Sequence, residues 1–229
     1  MNQANQDSLQ DLSISGIGGA AGGVYKSIHL DGVCKVLADV EAETFEANGV
    51  ITARGNVQAK KIDINGKMRI EGGLRSGSAR IDGMLRVESG VYGEQLNMNG
   101  MLTCGADCTA EKFDARGCVD IKGLLSADSI DVELQGKCTA REIGGEQIRI
   151  TKGPGNRWAW LLKWAIPRLV TQFETELIEG DVIELEHTAA AVVRGNRVKI
   201  GKGCTIGRVE YRSEIDVHPQ AKVSEQVQA

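Results

Sequence analysis

Apolar and polar residues alternate along most of the chain, and the alternation itself repeats every 17 residues. The register is marked by Gly32, Gly49, Gly66, Gly83, Gly100 and Gly117, five of them preceded by Asp or Asn. Two residues after each glycine stand Cys34, Ile51, Met68, Leu85, Leu102 and Val119, and four after stand Val36, Ala53, Ile70, Val87, Cys104 and Ile121. Eight after come Val40, Val57, Leu74, Val91, Cys108 and Leu125, then a column of small residues ten after, from Ala42 to Ala127. Further apolar columns run from Phe45 to Ile130 and from Ala47 to Val132, with polar residues such as Asp63, Arg80 and Asp114 between them. Apolar residues two apart around a polar one are the signature of a half-buried strand. Three such pairs per repeat predict an all-β, parallel β-helix of three-sided, 17-residue coils, each stacked on the next at ~4.8 Å. The Asp-Gly and Asn-Gly pairs predict tight turns between short strands, because both members tolerate positive φ.

Departures from the repeat divide the chain. Residues 1–15 read as a disordered tail and 16–153 as the main array, with Ile28 and Leu30 beginning its regular part after a degenerate, Gly-rich rung. From Gly117 the next turn glycine is Gly136, nineteen residues on, which predicts a two-residue bulge. Residues 154–179 interrupt the array. It resumes over 180–223, where Ile183, Ile200 and Val217 are 17 apart, as are His187, Cys204 and Ala221, and Ala189, Ile206 and Val223. Residues 224–229 read as a polar tail.

The interruption has its own pattern. Trp158, Leu161, Leu162, Ala165, Ile166, Leu169, Val170 and Phe173 follow helical spacing, which predicts an inserted amphipathic helix kinked at Pro167. All three tryptophans, Trp158, Trp160 and Trp164, lie in it, with Lys163 and Arg168 among its bases. Two readings fit: an interfacial membrane anchor contacting lipid through Trp158, Trp160, Leu161, Trp164, Lys163 and Arg168, or a helix packed along the solenoid.

Composition narrows the chemistry. A net charge of −4 argues against nucleic acid as a partner. No basic, apolar leader and no long apolar span appear, so the expected location is cytoplasmic, or peripheral at the inner face of the cell membrane if the helix is an anchor. Five of six cysteines fall on inward positions and read as small core hydrophobes, leaving Cys118, at a turn, as the exposed thiol. The histidines are scattered, the carboxylates sit singly on outward positions, and no phosphate-loop, zinc-protease or nucleophile-elbow motif occurs. No catalytic, cofactor-binding or metal-binding residue is therefore assigned, and the chain reads as a non-enzyme.

The 17-residue coil, its Asn-Gly and Asp-Gly punctuation and the short polar N-terminal stretch resemble the bactofilin family of bacterial polymer-forming cytoskeletal proteins, best over Gly32 to Val132. The resemblance implies a right-handed β-helix that stacks end to end into nonpolar filaments without nucleotide. Such a scaffold would position envelope, cell-shape or motility machinery and recruit unidentified client proteins. On this reading the partner is the chain itself, through Ile28 and Leu30 at one end and Ile215, Val217, Ala221 and Val223 at the other. Two departures stand out: the Trp-rich interruption, and the lack of any Phe after Phe173 to serve as a terminal aromatic contact. The alternatives are a left-handed hexapeptide-repeat acyltransferase, whose strict 18-residue coil these spacings miss, and a monomeric β-helical binding module like the β-helical half of a septum-placement inhibitor.

Overall fold

A computed structural model describes residues 9–153 and 171–229, and every regular element among them is a β-strand. The strands are β1 (Leu12–Ala20), β2 (Gly23–Val24), β3 (Ser27–Val36), β4 (Val40–Ala53), β5 (Val57–Ile70), β6 (Leu74–Val87), β7 (Val91–Cys104), β8 (Cys108–Leu134), β9 (Lys137–Lys152), β10 (Gln172–Leu185), β11 (Thr188–Ile200), β12 (Thr205–Val217) and β13 (Lys222–Gln228). Apart from the short β2, which pairs with β4, they pair in chain order and in parallel, as a β-solenoid of about twelve turns. Stacking places like columns over like. Leu12, Ile28, Phe45, Ile62, Ala79, Leu96 and Phe113 form one continuous ladder. Its continuation through Ile130, Ile148, Ile183, Val198 and Ile215 reaches the far end. The inward columns close an apolar interior in which Leu30, Ile51, Ile70, Val87, Cys104 and Leu125 are almost wholly buried.

The turn glycines act differently from the expectation of turns between short strands. Each lies inside a strand, as Gly49 does in the 14-residue β4 and Gly83 in the 14-residue β6, and the pairing runs through it. The chain bends there instead of stopping, at φ of 107° and 133° respectively. Glycine is required twice over: an L side chain rarely adopts that φ, and a Cβ on Gly83 would collide with the carbonyl oxygen of Gly66 in the coil beneath. The real breaks fall elsewhere, at segments such as 37–39 and 54–56. There Asp39 Oδ1 accepts the Asn56 backbone N–H (2.8 Å) and Asn56 Oδ1 accepts that of Gly73 (2.8 Å), so side chains tie one corner to the next.

Both ends extend beyond the expected limits. β1 begins at Leu12, so part of the predicted 1–15 tail is a coil, and β13 runs to Gln228 where a polar tail was expected. The array also resumes at Gln172, eight residues before position 180; Phe173, assigned to the helical pattern, is wholly buried in β10 beside Cys138 and Thr188. The remainder of the predicted helix, residues 156–170, lies outside the described residues.

Coil length varies more than the spacing suggested. The bulge near Gly136 moves the offset to nineteen residues at Asp120–Thr139 and then to eighteen from Leu124–Glu142 onward. The next irregular coil is short: Ile183 pairs with Val198, fifteen residues on, not with Ile200. Thr188 and Ala190 are therefore the inward residues there, not His187 and Ala189, and Ile200 stacks on Leu185. His187 makes the tightened turn at φ 46°, against Gly203, where a side chain would meet its ring.

Candidate assembly interface

A stack of parallel coils presents two unlike surfaces, its flanks and its two ends. Along the flanks outward residues pair between coils, as in the run Glu179–Arg194–Glu210–Arg208–Glu225. These exposed pairs contribute little each, and among the described residues no group of His, Cys, Asp and Glu is placed to hold a metal ion. The ends are where the sequence placed the functional residues.

At the C-terminal end the inward columns run out. Val198 and Ile200 are 2% and 0% exposed, but their partners on the last full coil, Ile215 and Val217, are only partly buried. Ala221 and Val223 likewise lie half-covered over buried Cys204 and Ile206. β13 shields Thr205–Tyr211 of β12 and leaves Arg212–Val217 without a strand beyond it among the described residues. The four residues predicted for this end are thus brought together on one layer, rimmed by strand-edge N–H and C=O groups.

The N-terminal assignment is corrected. Ile28 and Leu30 are 1% and 0% exposed, because Leu12 and Ile14 of β1 stack on them. Leu12 and Ile14 are the half-buried members of the terminal layer described there. The misreading came from the Gly-rich composition: Gly16 and Gly18 pair with Gly32 and Cys34 as an ordinary coil would, but without side chains they carry no hydrophobic signal.

Sequence reasoning also missed two aromatic residues. The small column that begins at Ala42 continues through Gly145, Gly180 and Gly195, and then meets Tyr211. At the other end Tyr25 follows the Gly23–Val40 and Val24–Glu41 pairs, which places it over Ala42. Both rings are half-buried against the core near the two ends. The signal was present as the two places where a column of small residues is broken: Tyr25 stands 17 residues before Ala42, in the Gly-rich first rung, whereas Tyr211 fits no 17-residue count because the coils before it are shorter.

The thiols are mostly as predicted. Cys34, Cys104, Cys108, Cys138 and Cys204 are buried, and burial pushes Cys138 up to about 12 and Cys204 up to about 11. Cys118 is the exception to its own expectation. It is half-buried against Cys138, and burial raises its thiol also. Trp158, Trp160, Leu161, Lys163, Trp164 and Arg168 lie outside the described residues. No helix among the described residues is long and apolar enough to cross a membrane.

Two curated proteins of Bacillus subtilis (strain 168) are similar to the chain, both described as uncharacterized. YhbE is 42% identical over 106 residues, which is 45% of this chain and 42% of YhbE. YhbF is 36% identical over 104 residues, 45% of this chain and 40% of YhbF. The chain thus spans less than half the length of the curated relatives it matches. No protein-family model matches it, and no solved structure does.

Proposed function

We propose that the chain is a self-associating scaffold of the bactofilin type, a right-handed, three-sided β-helix that stacks end to end without nucleotide. The observation that carries this reading is the run-out of the core at the C-terminal end. Columns that are fully buried through the stack finish there in half-buried Ile215, Val217, Ala221 and Val223 beside open strand edges. Solenoids that stay monomeric cover such layers with polar caps. Like ends meeting would continue the inward columns and place edge groups opposite edge groups, and the many weak contacts of a polymer would hold client proteins or a surface by multiplicity. Electron microscopy and sedimentation of the full chain without nucleotide test the reading. Filaments that lose their length in Val217→Arg support it, whereas a monodisperse monomer at high concentration overturns it.

A further inference from the structure

One column on the outside of the solenoid is apolar where its neighbours are polar. In successive coils the residue after the bend glycine is Ile17, Val33, Val50, Lys67, Met84 and Met101. All but Lys67 are large apolar side chains, 45–91% exposed. Isolated exposed aliphatics need no explanation, but a file of them stacked coil on coil is an apolar ridge.

The columns flanking the ridge differ in sign. Because the strands are parallel, the outward residue before the glycine always lies on one side of the ridge and the next outward residue after it on the other. The first column is Asp31, Asn48, Asn65, Asp82 and Asn99, acids and amides alone; the second is Lys35, Thr52, Arg69, Arg86 and Thr103, bases and hydroxyls alone. Some of these charges are answered within the chain, Asp82 by Arg80 at 2.9 Å and Arg86 by Glu88 at 2.8 Å. Asp31 and Lys35, which bracket Val33, are exposed, and neither is ion-paired among the described residues.

We infer that this ridge is the seam for a second copy of the chain, laid alongside in parallel and in register. A twofold interface must be self-complementary, and two kinds of axis lie in the plane of contact. An axis perpendicular to the stack sets the acidic side against the acidic side and the basic against the basic. An axis parallel to the stack brings each coil to its own level on the partner and exchanges the sides. Asp31 then faces the partner's Lys35, Lys35 faces the partner's Asp31, and Val33 meets its own counterpart between them. Lys67 also meets its counterpart, the one like-charge contact along the ridge itself. Six coils at ~4.8 Å and three outward columns ~6.6 Å apart make a face of about 24 by 13 Å, on the order of 300 Å² per copy. A stable complex buries about 800 Å² per partner, so single chains pair only transiently. Along a filament the seam recurs at every copy and multiplicity makes it lasting. The geometry of the seam is independent of end stacking; its strength in an assembly rests on the scaffold reading.

Disulfide trapping of the full chain tests this, in a Cys118→Ser background so that the installed thiol is the accessible one. With oxidised glutathione, Val33→Cys and Met101→Cys should each cross-link to itself, about tenfold faster than Tyr92→Cys on another column. Asp31→Lys should slow the Val33→Cys product by about the same factor, since both ion pairs become like-charge contacts, and adding Lys35→Asp should restore it. Lys67→Met should speed it. Self-linking at only one of the two positions, or preferential linking of Val33→Cys to Met101→Cys in a mixture, would make the pairing antiparallel and overturn the inference. Rates no faster than that of Tyr92→Cys, or a charge swap that restores nothing, would overturn it too. Filaments without trapping remove the seam and leave end stacking intact, whereas trapping in a chain that forms no filaments keeps the seam and removes end stacking.

Discussion

Replacing Val217 by Arg separates assembly from folding, and the structure sets the scale of the effect. Val217 stacks on Ile200, which is 0% exposed, but is itself only partly buried at the terminal layer. A full burial of an aliphatic side chain is worth about 1.5–3 kcal/mol. Ile215, Val217 and Val223 have about a third of that at most still to gain, so one face contributes up to about 1.5–3 kcal/mol and two meeting faces up to about 3–6 kcal/mol. Association costs about 4–15 kcal/mol in lost freedom. The apolar layer alone is therefore marginal, and edge hydrogen bonds must supply the rest. An arginine forced into such a layer without a partner loses several kcal/mol, or at least a thousandfold in association. Because Val217 is only partly buried in the single chain, the long arginine side chain can leave the layer and the coil should still fold. The assay is sedimentation velocity with circular dichroism: a wild-type-like spectrum and melting point, with species no larger than dimers joined through the N-terminal end. The same change at Ile200 should unfold the protein, and Ile28→Arg, at a position buried under β1, should behave like Ile200. Leu12→Arg is the corresponding end-specific change at the N-terminal layer. Long filaments persisting in both Val217→Arg and Leu12→Arg would refute end stacking.

Other outcomes follow from the interior and the corners. Gly83→Ala combines a φ of 133° with a collision against Gly66, so it should lower stability by at least ~1–3 kcal/mol in denaturant titration. Gly144→Ala, with 3.8 Å of room and an ordinary φ, should be close to neutral in the same assay. A thiol reagent at neutral pH should modify native protein only at Cys118, and more slowly than a free cysteine, because burial raises that thiol; all six should react in denaturant. The Asn56 backbone N–H and amide lower the Asp39 carboxyl below its usual 3.8, so this group stabilises the fold above that value and the contribution is lost as pH falls through its depressed pKa. Melting temperatures between pH 5 and 2 should fall more steeply for wild type than for Asp39→Ala.

The sequence by itself determined the repeat, the inward columns from Gly32 to Val132 and the glycine register, because a solenoid's contacts are the same at every coil. A side chain there meets its own counterpart 17 residues away, so local alternation and long-range packing give one answer. Only the tertiary structure decided what happens where coils differ. Whether Ile28 is an end or an interior residue depends on β1, whose glycines carry no hydrophobic pattern but still pair through their backbone. The fifteen-residue step from Ile183 to Val198 depends on His187 accepting a left-handed turn, which spacing cannot reveal. Phe173 fits a helical period in one dimension, yet the solenoid claims it because a buried ring between Cys138 and Thr188 fills the core. The outward Met84 and Met101 were legible as letters but had no meaning until stacking aligned them. An exposed valine or methionine is unremarkable alone, and only the superposition of coils makes several of them one surface.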